Sequence, residues 1–140
     1  MFYLIGALFG LFSVAFGAAA EHLIHPHITD TQWEQILTAL RYQRMAAIML
    51  IINGITLATQ LNLSTRIYHW LQLSSILFVL GGIFFSLSIE LSITFHWPSL
   101  ISLAPIGGTA FCFAWLSLVI VGFLIPRRTT TDDASHNERS

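Results

Sequence analysis

Hydrophobic and polar positions fall along this chain in long blocks rather than in short alternations. Four apolar runs, roughly Phe2–Ala20, Ala46–Leu61, Trp70–Ile89 and Leu103–Ile125, are separated by short polar stretches. A run of about 20 residues at 1.5 Å rise matches a hydrocarbon core about 30 Å thick. In that core each backbone N–H and C=O must be bonded within its own segment, so runs of this length are helices. The pattern predicts an all-α fold, an integral membrane four-helix bundle, with residues 1–126 as one four-span domain.

The first run closes on small residues before Glu21 and has the outline of a signal sequence, but the first arginine is Arg41, so no positive region precedes it. It reads as a retained span. Gly6, Gly10 and Gly17, with Ser13, lie on or near one helical face, the small-residue spacing that lets helices approach closely in lipid. After a loop with His22, His25, Pro26 and His27, Thr31 and Glu34 fit a capping box with Asp30 or Thr31 as the cap. Trp33, Ile36, Leu37, Leu40 and Arg44 then share a face. This predicts an amphipathic N-terminal extension on a second helix running from Thr31 to about Gln60. The third helix starts near Tyr68 and Trp70 and runs to about Ile93. The fourth starts at Pro105, with a start at Pro98 and a kink at Pro105 as the alternative, and stops at Pro126. Residues 127–140 are polar and are expected to form a disordered cytoplasmic tail.

Composition sharpens this picture. Only 9% of the 140 residues are charged, and six arginines stand without a lysine. A soluble domain carries about a quarter charged residues. The arginines are dispersed, which excludes a nucleic-acid surface. Cys112 is a lone cysteine inside the fourth run and reads as a small buried hydrophobe. With four spans, Arg66, Arg127, Arg128 and Arg139 share the side of the termini, and Arg41 and Arg44 lie opposite. The positive-inside rule then places both termini in the cytoplasm.

A few polar residues are out of place in lipid. Ser75, Gly82, Ser86 and Glu90 form one stripe on the third helix, which should face protein. Glu90 is expected near the membrane boundary opposite the termini, level with Arg41 and Arg44 at the start of the second helix and with Glu21 and His22 at the end of the first. A Glu90 pairing with Arg41 or Arg44 would tie helices two and three together. Tyr42, Met49, Asn53, Thr56 and Gln60 form a polar line on the second helix, read as interhelical glue or as the wall of a polar path. Glu21, His22, His25, His27 and Asp30, with His96 from the other connection, are rich in metal-binding groups but match no recognised spacing, so neither metal nor cofactor is assigned. Gly107 and Gly108 read as a close-packing site, with Ala104, Gly108 and Cys112 as a small face.

Four stretches together resemble the YgdD-like proteins, a bacterial inner-membrane family of unknown function. They are VAFGAAAEHL at Val14–Leu23, TALRYQ at Thr38–Gln43, FFSLSIEL at Phe84–Leu91 and LAPIGGTAFCFAW at Leu103–Trp115. The resemblance implies four helices in the inner membrane and carries no established chemistry. It also singles out Tyr42 and Gln43 as the family's tyrosine–glutamine pair at the start of helix two. The chain departs from the family pattern at Glu21, where a small residue is usual, at Met45 and Ala46, where a histidine is usual, and at Glu90, where an aromatic is usual. The candidate site is thus a polar cluster of Glu21, His22, Arg41, Tyr42, Gln43, Arg44 and Glu90, with Gly6, Gly10, Gly17, Gly82, Gly107 and Gly108 as helix-packing positions.

No nucleophile, acid–base or phosphate-binding motif is visible, so an enzyme is not expected. Two function classes remain. One is an accessory or scaffolding protein that packs against itself or another membrane protein in the bilayer. The other is a small permeation protein for protons, ions or a solute, resting on Glu90 and Asn53.

Overall fold

The computed structural model describes residues 1–59 and 63–125. The expected tail at 127–140, the Pro126 stop and the end of the second helix at Gln60 lie outside the described residues. Within them the chain is helical and carries no strand. Helix α1 is Phe2–Leu23 and helix α2 is Asp30–Ala58. Helix α3 spans Thr65–Thr94, with a π-helical stretch at Gly82–Leu87. Helix α4 is Ala104–Leu124, entered through a 3₁₀ stretch at Pro98–Leu103.

Local chemistry sets the ends. Thr29, not Thr31, caps α2: its hydroxyl accepts the Gln32 N–H at 3.3 Å, and the Gln32 side-chain oxygen accepts the Thr29 N–H at 3.0 Å. Thr29 is extended, as a capping residue must be, whereas Thr31 is already inside the helix. Ser64 caps α3 through the Ile67 N–H. At the other end of α3, Trp97 N–H returns to Ser92 C=O at 2.9 Å and His96 N–H to Ile93 C=O at 3.4 Å. These are the two bonds of a Schellman motif, and they force His96 into the left-handed region at φ 54°. Both alternatives for the fourth helix are partly realised, since the chain turns helical at Pro98 but becomes α-helical only at Ala104. Pro105 lies in the first turn, where no N–H is required.

Close contacts fix an up-down-up-down order. A Cβ at Gly6 would lie 2.7 Å from the Ala47 carbonyl, and one at Gly54 would meet the Tyr3 backbone, so α1 and α2 run antiparallel in near-backbone contact. Asn53 on Ser74 and Tyr42 on Phe85 set α2 antiparallel to α3. Gly81 lies against the Phe111 ring and Gly107 against the Phe84–Phe85 backbone, so α3 and α4 are antiparallel too. Phe9 of α1 reaches across to Gly82. The loop between α1 and α2 and the one between α3 and α4 therefore share one end, called upper here. The N-terminus, the start of α3 and the end of α4 share the lower end.

Helices α1, α3 with its π-helical stretch, and α4 with its 3₁₀ lead-in are each long and apolar enough to cross a membrane. Helix α2 is as long, but Arg41, Gln43 and Arg44 fall well inside it. It is held in place by its neighbours: its buried face, from Ile36 through Leu40, Gln43, Ala46, Ala47 and Leu50 to Asn53 and Gly54, points into the bundle. Three apolar clusters stack along the axis. Ile36, Leu40, Ile89 and Ile93 lie at the top, with Ala20 and Ala104. Leu50, Phe78 and Phe111 fill the middle, and Ile67, Leu71 and Val121 the bottom.

A buried polar layer as the candidate functional site

Two groups of polar side chains are enclosed between these clusters, and both draw on α2 and α3. The lower group is bonded within the protein. Asn53, buried in α2, donates from Nδ2 to Ser74 Oγ at 3.4 Å, and Ser74 donates to the Ala114 carbonyl of α4 at 3.1 Å. Beside it Ser75 donates to its own helix at the Leu71 carbonyl, 2.8 Å away. Asn53 thus ties three helices together.

The upper group is different. Gln43, Ser86 and Glu90 are fully buried, each with no exposed surface. Neither carboxylate oxygen of Glu90, neither end of the Gln43 carboxamide nor the Ser86 hydroxyl has a hydrogen-bond partner. Ser86 and Glu90 are four residues apart on α3, hence on one face. Ser86 lies within the π-helical stretch, the kind of irregularity common at functional sites. Helical side chains incline toward their own N-termini. Contacts of Asn53 with Ser74 and of Tyr42 with Phe85 put Gln43 level with Phe84, about 9 Å below Glu90, and in antiparallel α2 and α3 Gln43 inclines upward and Glu90 downward, which shortens that gap. The stripe of Ser75, Gly82, Ser86 and Glu90 is buried throughout, as its spacing requires.

The pairing of Glu90 with Arg41 or Arg44 does not occur. The register set by Asn53–Ser74 and Tyr42–Phe85 places Arg44 level with Ile83. Glu90 is about two helical turns, on the order of 10 Å, higher. Arg44 instead turns to α1, where its Nε donates to Ser13 Oγ at 3.1 Å and its guanidinium lies along Gly17. Its stem rises toward the upper end, the direction in which an arginine at this depth reaches headgroups. Arg41 is nearer to Glu90 in height but sits on the exposed face of α2.

The expected seven-residue cluster is therefore divided. Glu21 and His22 are exposed, and Glu21 lies 3.6 Å from His25, which stacks on Trp33. Tyr42 packs its ring against Phe85 and Phe111 in a crevice of about 520 Å³ on the bundle surface, shared with Met45, Cys112 and Trp115. Cys112 is exposed there rather than buried. Only Gln43 and Glu90 of the seven enter the interior, and Ser86 joins them. A second cavity, of about 340 Å³, opens at the upper end and is lined by Gln32, Gln35, Ser92, Ile93 and His96, with Pro98 and Ile101. Among the described residues no three of His, Cys, Asp and Glu converge as metal ligands would.

The packing glycines also sort themselves. Gly6, Gly82 and Gly107 are closed positions, joined by Gly54 and Gly81, which the small-residue spacing did not pick out. Gly17 is tight only against the Arg44 guanidinium, and Gly10 and Gly108 have room for a methyl group, at 3.8 Å from their nearest neighbours.

Comparison with known proteins agrees with this architecture. Residues 16–108 match the family described as "Protein of unknown function (DUF423)". The UPF0382 inner membrane protein YgdD of Escherichia coli K12 is 30% identical over 125 residues, covering 89% of this chain and 90% of that protein. UPF0382 membrane proteins of Staphylococcus haemolyticus and Staphylococcus aureus are 31% and 29% identical over 126 residues, covering 88% of this chain and 95% of each relative. No solved structure matches the chain. By the extent of the family match and the near full-length relatives, the chain is a membrane protein that belongs to the DUF423 family, whose function is unknown.

Proposed function

We propose that the protein is a non-conducting accessory component of the bacterial inner membrane, without catalytic activity of its own. The observation that carries this reading is the fate of Asn53. A permeation path would have to join Asn53 to Glu90, yet the Asn53 amide is engaged with Ser74. Between the two levels lie Leu50, Phe78 and Phe111, all buried and apolar. A path lined that way offers an ion nothing to replace its hydration shell. The exposed apolar surface of α1 and the Cys112 face of α4 are where lipid, a second copy or another membrane protein would pack.

The upper end is assigned to the periplasm and the termini to the cytoplasm. Arg44 lies at mid-helix depth with its Nε on Ser13 of α1, rather than in a flanking loop, so it drops out of the positive-inside comparison. Arg66, Arg127, Arg128 and Arg139 then face only Arg41. Reporter fusions at the C-terminus test this, and a periplasmic signal would reverse it.

Flux into proteoliposomes tests the main reading. Vesicles with the purified protein should hold proton, sodium and potassium gradients as well as empty vesicles do. A leak that Glu90→Gln abolishes would replace this reading with a permeation protein.

A further inference from the structure

The upper polar layer lacks one positive charge. An isolated carboxylate in apolar surroundings is not tolerated, so it is neutralised by a proton or by a cation. The apolar cluster that takes in Ile89 and Ile93, on either side of Glu90 in sequence, draws Ile36, Ala39 and Leu40 from α2, where Gln43 is neutral, Arg41 is at the surface and Arg44 is engaged with Ser13. From α1 comes Ala20, with Glu21 beside His25 and His22 exposed beyond it. The stretch Pro98–Leu103 and helix α4 contain no charged residue. Along the chain, the next titratable group after Glu90 is the exposed His96, just past the end of α3. None of these groups supplies the missing charge.

We propose that Gln43, Ser86 and Glu90 form a binding site for a single monovalent metal cation, with sodium as the probe, held in competition with a proton and reached from the upper cavity. The charge sets the valence: one positive charge makes the layer neutral, whereas a divalent ion would leave a net charge in the same apolar shell. The donors set the class. A carboxylate, a carboxamide oxygen and a hydroxyl are hard oxygen ligands, with no imidazole or thiolate among them.

One arrangement uses all five unpartnered atoms. The cation takes one Glu90 oxygen, Gln43 Oε1 and Ser86 Oγ, and Gln43 Nε2 donates to the other Glu90 oxygen. The opposed inclination of Gln43 and Glu90 closes this set from two helices. Ile93 lies in the wall of the 340 Å³ cavity and also in the apolar cluster over Glu90, one turn along α3. Ile93 therefore stands between the cavity and the layer, and a change of its rotamer would open one to the other.

The test is thermal unfolding of the purified full-length protein in detergent. Sodium chloride is titrated against N-methylglucamine chloride at constant ionic strength, from mildly acidic to mildly alkaline pH. Sodium should raise the melting temperature, and its half-saturating concentration should rise by up to about tenfold for each unit by which the pH is lowered, because one proton displaces one ion. Glu90→Gln should keep the fold and lose the sodium response. Gln43→Leu and Ser86→Ala should each shift half-saturation upward by about tenfold, the value of one lost ligand. These two variants retain the carboxylate and give a second reading if Glu90→Gln does not fold. Melting temperatures that are equal in both salts at every pH would overturn the proposal. So would a sodium response that survives unchanged in Gln43→Leu and Ser86→Ala, or a dependence on pH alone that Glu90→Gln removes.

Discussion

Asn53 and Gln43 lie on the same buried face of α2, and the bundle treats them in opposite ways. Asn53 meets a serine that hands its own proton to a backbone carbonyl, so the lower layer is a chain of bonds linking α2, α3 and α4. Gln43, Ser86 and Glu90 are buried as fully, and none of their polar side-chain atoms has a partner. Both layers are equally dry, so burial does not separate them. What separates them is whether donors and acceptors balance. In the lower set Asn53, Ser74 and Ser75 each have a bond within the protein. The upper set holds more acceptors than donors and one uncompensated charge, which suits an added guest. Buried polar groups that are satisfied act as structure, and those that are not carry a cost that the fold bears for another reason.

The largest effect should come from breaking the frame that holds both layers. Gly107→Ala puts a methyl group into the α3 backbone at Phe84–Phe85, beside the π-helical stretch. Overpacking of this kind costs about 2–3 kcal/mol. It should lower the melting temperature and, by moving α4, withdraw the Ala114 carbonyl from Ser74.

Next is Ser74→Ala, which leaves the Asn53 amide buried and unpaired, at about 2 kcal/mol of destabilisation in a denaturation series. Glu90→Leu should act in the opposite direction. In sodium-free buffer, exchanging an unpartnered acid for an apolar side chain should stabilise the protein by about 1–2 kcal/mol. A destabilised Glu90→Leu would show that the upper layer is satisfied after all.

His96→Gly relieves the left-handed backbone at the top of α3 and should stabilise by about 1 kcal/mol, without touching either layer. The smallest effect belongs to Ser86→Ala. Its hydroxyl already lacks a partner, so without sodium its loss should shift stability by less than about 0.5 kcal/mol. The contrast between Ser74→Ala and Ser86→Ala is the sharpest check, because the two changes remove the same atom from equally buried sites. Equal costs would erase the distinction between the layers.

Much of the fold was legible because lipid leaves few options. Long apolar runs with polar breaks specify helices, and the stripe from Ser75 to Glu90 specified which face of α3 turns inward. The bland reading of Asn53 as glue fits its bonds. The ion pair was not legible, for a geometric reason. Arg44 and Glu90 both lie toward the upper side in sequence, but the antiparallel register that sets their heights is fixed by contacts such as Tyr42 on Phe85, which no periodicity reveals. Cys112 misled for a similar cause: an apolar run shows that a helix is in the membrane, not which of its faces meets lipid. Gln43 was named for its place in a family motif. The signal that could have ranked it higher is its position on the Ile36–Leu40–Ala47–Leu50 face, where a carboxamide has no water.

Sequence alone determined the solvent, the helical class and the scarcity of charge, because each follows from residue type and the length of a run. Tertiary structure decided which polar groups meet. Whether Asn53 is bonded and Glu90 is not depends on helix register and on close approach at Gly54, Gly82 and Gly107. These are distances between segments far apart in the chain, and they are set by packing rather than by any residue's own preference.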